Sequence, residues 1–88
     1  MTFVRPEKLL DRIAAGAVRN VDFDDLIRLL QRLGFKEVGG RGSHRVFVRA
    51  GVEEILTLQQ VDGQAKPYQV RQVVALVRQY NIDLEAEP

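Results

Sequence analysis

The chain has 88 residues, 45% hydrophobic and 28% charged, with a net charge of +1, one histidine and no cysteine. That length and composition predict one globular domain, since there is no room for a second core and neither disorder nor a membrane span of ~20 apolar residues is indicated. Met1 to Lys8 lacks a signal-peptide core and no thiolate is present to build a zinc site, so a cytoplasmic protein using no metal or cofactor and touching no membrane is expected.

In chain order, PEKLLDRIAAGAV puts Leu9, Leu10 and Ile13 at helical spacing behind Pro6, and Gly16 is placed to stop that helix. In NVDFDDLIRLLQRLGF, Asp22 is a capping residue, and Val21 and Leu26 sit where a hydrophobic staple needs them. Phe23, Leu26, Ile27, Leu30 and Leu33 follow a 3.6-residue period that ends at Gly34, which predicts a helix over about 23–33. Next, FKEV reads as a short strand leading into Gly39, Gly40 and Gly42, where positive φ lets the backbone turn back.

SHRVFVRA alternates, with His44, Val46 and Val48 on one face and Arg45, Phe47 and Arg49 on the other. The two valines make the His44 face the more apolar, which places His44 at the rim of a helix-packed side. EEILTLQQ is a third strand and QVDGQA reads as a loop. KPYQVRQVVALVRQY then opens with Pro67 at a helix's first position, buries Val70, Val73, Val74 and Val77, and ends at Asn81; DLEAEP reads as a frayed acidic tail.

The order α-α-β-β-β-α predicts an α+β two-layer sandwich in which the helices at either end of a three-stranded meander cover one face. The division is an N-terminal helical extension over 1–20, a core over 21–82 and an acidic tail over 83–88. The packing of the first helix is not fixed by the sequence.

Charge is unevenly spread. Residues 32–50 carry Arg32, Lys36, Arg41, Arg45 and Arg49 against Glu37 alone, a local balance of +4 that leaves −3 elsewhere. A basic centre in a near-neutral whole suits a localised anionic ligand such as a short piece of RNA, although arginines on an exposed strand also serve solubility alone.

The stretches FDDLIRLLQRLGF, GRGSHRVFV and AKPYQVRQVVALV, in this order over roughly 22–82, resemble the HicA family of mRNA interferase toxins. The shared features are the helix ending in Gly-Phe, the Gly-Ser-His opening the second strand, and the lysine–proline entry to the last helix. The resemblance implies a fold similar to the double-stranded RNA-binding domain, endoribonuclease activity on mRNA, and a HicB-like antitoxin as partner. It makes His44 the catalytic residue. Typical members begin near residue 23 of this chain, and many carry a second histidine where this chain has Arg45.

Cleaving RNA through its own 2′-OH requires a base for that proton, an acid for the departing 5′-oxygen and cations for the phosphorane. Histidine exchanges a proton near neutral pH, but one histidine cannot be both base and acid in a single step. Tyr68, Lys66 and the water shell are the candidate helpers. Gly39, Gly40 and Gly42 form either a backbone nest for phosphate or simply a hairpin turn, and Gly42 and Ser43 are candidate RNA-binding residues. Arg41, Arg45, Arg49 and Lys66 are the candidate RNA-binding cations. No carboxylate is placed to make Ser43 a nucleophile through His44, and Tyr68 reads as a packing aromatic. A non-catalytic RNA- or protein-binding module of the same fold is the alternative, and the oligomeric state is left open.

Overall fold

The computed structural model describes residues 3–85. Helices α1 (Pro6–Ala14) and α2 (Phe23–Arg32) precede strands β1 (Lys36–Arg41), β2 (His44–Val48), β3 (Leu56–Val61) and β4 (Gln64–Ala65), and α3 (Pro67–Tyr80) closes the order. The strands form an antiparallel meander, β1-β2-β3-β4. Helices α2 and α3 lie on one face of it, giving the expected α+β sandwich.

Local sequence accounts for the element ends. The Asp22 carboxylate accepts from the Asp25 N–H at 3.0 Å, capping α2. Pro67 opens α3 and Asn81 closes it in the left-handed region at φ +53°. The core joins Phe23, Leu26, Leu29, Leu30 and Leu33 of the α2 region to Phe47, Leu56 and Leu58 of the sheet and to Val70 and Val73 of α3.

Two expectations about the sheet are corrected. The helix-packed face of β2 is the Phe47 face, with Phe47 fully buried opposite Leu56, while Val46 and Val48 are only half-buried on the open side. One phenylalanine removes more apolar area from water than the valines beside it, so it decides which face turns inward. His44 therefore belongs to the open face and not to the rim of the packed one.

The stretch QVDGQA is also more than a loop. Asp62 (φ +53°) and Gly63 (φ +77°) make a tight hairpin of the type I′ pattern, and Gln64–Ala65 pairs with β3 as a fourth strand. Two residues are too few to show alternation. The outer edge of β4 is covered in turn, because the Ala65 N–H donates to the Val21 carbonyl and the Phe23 N–H donates to that of Gly63, both at 2.9 Å.

Helix α1, unplaced by sequence, packs on α2 and α3 through buried Leu9 and Ile13. Arg78 of α3 donates to the Ala14 carbonyl at 2.8 Å, and the Val4 N–H donates to buried Asp25 at 3.2 Å. Beyond α3, Ile82 is buried and the Glu85 N–H donates to the Arg32 carbonyl at 2.6 Å, so this part of the acidic segment is fastened rather than frayed. Glu87 lies outside the described residues.

Candidate active site

The β1–β2 hairpin is closed by a two-residue loop, Gly42–Ser43, between the paired residues Arg41 and His44. Gly42 sits at φ +59°, the position where a type II′ turn requires glycine. Gly40 is held more tightly, at φ +143°, and a Cβ there would lie 2.2 Å from the His44 carbonyl oxygen. Only glycine lets β1 approach the backbone of His44 this closely. The glycines thus serve the hairpin first.

Register carries the site across the sheet. Arg41 pairs with His44, and His44 pairs with Gln59 on β3, so the three share one cross-strand row. Partners in register point to the same side, and for this row that is the open face. Sequence reasoning missed Gln59 entirely. Nothing in LTLQQV distinguishes it from Gln60, and only the β2–β3 register sets it beside the histidine. Its side-chain amide donates to Ser43 Oγ at 3.4 Å, so Ser43, His44 and Gln59 form one polar cluster. The His44 side chain is exposed, and its ring makes no hydrogen bond or ion pair with the other described residues.

Lys66 joins from the far side. Gln60 pairs with Ala65, and Lys66 follows directly as the N-cap of α3. Buried Gln69 then substitutes for a strand where β4 stops. Its Oε1 accepts from the Gln59 N–H at 3.1 Å, and its Nε2 donates to the Thr57 carbonyl at 3.0 Å. The edge of β3 is satisfied by a side chain acting as a peptide group. Tyr68 is not the packing aromatic expected: it is 60% exposed, with its hydroxyl 3.3 Å from Gln69 Nε2.

The arginines divide. Arg41 stays in the His44 row, whereas Arg45 and Arg49 turn to the helix side. Arg45 donates twice to Glu37, at 2.8 and 2.7 Å, and lies over the rings of Phe23 and Phe47 at 5.7 and 5.8 Å. Its hydrogen bonds hold the Glu37 carboxyl below the usual glutamate range, and the Arg45 guanidinium is raised in return. Arg49 donates to the Leu33 carbonyl at 2.7 Å, tying down the end of α2. A shallow depression of about 380 Å³ over the glycines is walled by His44 on one side and by Arg45 and Glu37 on the other. Among the described residues no group of three or more histidine, aspartate or glutamate side chains is gathered to hold a metal ion, and no helix is long and apolar enough to cross a membrane.

The arrangement offers an exposed imidazole with a cation on one flank, an amide and a hydroxyl on the other, and glycine backbone beside it. A family model described as "HicA toxin of bacterial toxin-antitoxin" matches residues 23–82. No curated protein and no solved structure matches the chain.

Proposed function

The chain belongs to the HicA family of bacterial toxins from toxin–antitoxin pairs, and from that premise we propose that it is an endoribonuclease, an mRNA interferase, that cleaves mRNA at His44 without a metal. Its partner on this reading is a HicB-like antitoxin that covers the open face of the sheet. The observation that carries the proposal is the cross-strand row in which exposed His44 stands between Arg41 and Gln59.

In the proposed reaction the RNA 2′-oxygen bonds to the adjacent phosphorus and the bond from phosphorus to the 5′-oxygen breaks. The products end in a 2′,3′-cyclic phosphate and a 5′-hydroxyl. His44 takes the 2′-OH proton as general base, and water returns a proton to the leaving 5′-oxygen. Arg41 in the row and Lys66 at the entry to α3 neutralise phosphate charge, and the Gln59 amide with Ser43 donates to phosphate oxygens. Arg45 and Arg49 shape the hairpin and fasten it to α2, with Arg45 reaching RNA only across the glycine depression.

The test is a cleavage gel of a defined RNA in excess EDTA. Wild-type protein yields 2′,3′-cyclic phosphate ends, and a strand with a single 2′-deoxy substitution at the scissile nucleotide stays intact. Cleavage of that 2′-deoxy strand at the normal rate contradicts the mechanism.

One observation favours a second reading. No carboxylate or second histidine orients the His44 ring among the described residues, as suits a module that binds RNA or a protein without cutting it. Salt-sensitive retention of RNA that remains uncut in the same gel selects that reading.

A further inference from the structure

Beyond β3 the row ends in an aromatic ring held in the open. Tyr68 is 60% exposed, yet its hydroxyl lies 3.3 Å from the Gln69 amide nitrogen, and that amide is itself bound to both Thr57 and Gln59. The phenol is thus anchored to the sheet at the register of His44's own partner while most of its surface stays in water. Gln69 occupies the place of a strand beside β3, so its amide lies on the order of 10 Å from β2, two strand spacings away. Burial does not explain the ring, since it contributes nothing to the core cluster.

We propose that Tyr68 is a stacking platform for an unpaired RNA base adjoining the phosphate held at His44, so that the substrate is single-stranded. This rests on the endoribonuclease reading and adds the class of RNA to it. An anchored ring loses little freedom when a base stacks on it, and any base offers a π-face, so the platform selects strandedness rather than sequence. Arg41 beside His44 and Lys66, two residues before Tyr68 at the start of α3, supply the backbone contacts that a flat ring cannot. A-form duplex keeps its bases stacked inside and presents 2′-hydroxyls and phosphates instead, leaving nothing for Tyr68 to stack against.

The experiment measures binding of a labelled 12-nucleotide RNA made wholly with 2′-O-methyl groups, which the proposed reaction cannot cleave, both as a single strand and annealed to its complement. Wild-type protein and Tyr68→Phe bind the single strand alike. Tyr68→Ala and Tyr68→Leu, checked for unchanged urea midpoints, lose about tenfold in affinity. Duplex binds more weakly and is indifferent to these changes. Should Tyr68→Ala fail to fold, the comparison of Tyr68→Leu with Tyr68→Phe decides alone.

Equal single-strand affinity for Phe and Leu variants overturns the platform. So does an equal loss on duplex, and so does wild-type protein that binds no single strand. Unmodified RNA run in parallel separates this from the parent reading. Cleavage that is indifferent to Tyr68 removes the platform alone, whereas Tyr68-dependent binding of RNA that is never cut removes the nuclease alone.

Discussion

His44 and Gln59 face each other across β2 and β3 as a pair without backbone hydrogen bonds between them. The Gln59 N–H is turned outward to Gln69, and the His44 backbone closes the hairpin with Arg41. In antiparallel sheets this kind of pair brings side chains closest, with Cα atoms ~4.5 Å apart. If the Gln59 amide steadies phosphate charge beside the imidazole, Gln59→Ala lowers the cleavage rate about 10- to 100-fold, with KM little changed. Its urea midpoint stays near that of the wild type, because this side chain faces the open side of the sheet. Single-turnover kinetics read the first outcome and denaturation the second.

The two glycines of the hairpin differ in what they tolerate. Gly40 faces the His44 carbonyl at a distance no side chain can share, whereas Gly42 has nothing within 4 Å and only its φ of +59° to satisfy. Gly42→Ala is expected to cost about 1–2 kcal/mol through the left-handed conformation. Gly40→Ala costs more, roughly 3 kcal/mol or above, since backbone must also move. Urea unfolding of the two variants ranks them.

Gln69 is expected to matter for stability more than its polarity suggests. Gln69→Leu keeps the volume but leaves the Thr57 carbonyl and the Gln59 N–H without partners at a covered edge. The loss is about 3 kcal/mol, given roughly 1–3 for each orphaned group. Hydrogen exchange at the Gln59 amide, fast in the variant and slow in the wild type, locates the damage.

Acid sensitivity follows from Glu37. Its hydrogen bonds with Arg45 hold its folded-state pKa below the unfolded value, so the pair stabilises the fold above the usual glutamate range and is lost as pH falls through the lowered value. Glu37→Gln removes this dependence, so the stability gap between wild type and variant narrows on acidification. Melting temperatures from pH 7 down to 2 record it. Tyr80 behaves oppositely: its hydroxyl donates to Glu54 at 2.5 Å and its pKa is raised. That contribution is present below the ordinary phenol range and disappears as pH rises through the folded value, which the ultraviolet titration of the two tyrosines resolves.

Although the family match begins at residue 23, α1 is part of the core. Ile13 is 1% exposed against α2 and α3, so Ile13→Ala is expected to cost about 2–5 kcal/mol by calorimetry or urea.

The helices were legible because each carries its own signals, such as Asp22 and Gly34 around α2 or Pro67 and Asn81 around α3. What failed to show in the sequence depended on partners far along the chain. The inward face of β2 was decided by Phe47 meeting Leu56, which alternation within one strand cannot express. Strand β4 was too short to alternate. At the site, His44 stood out as the lone histidine of a Gly-Ser-His, but Gln59 is one of two consecutive glutamines singled out only by register. Arg45 and Arg49 looked equal to Arg41 because a sequence gives charge without direction, and the structure commits them to Glu37 and to the Leu33 carbonyl.

The most direct measurement is the single-turnover cleavage rate of one defined RNA, in EDTA, by wild-type protein and by His44→Ala with matching circular dichroism. Loss of the proton-transfer group lowers the rate about 10²- to 10⁴-fold while RNA binding persists. A His44→Ala protein that cuts at the parental rate contradicts the account.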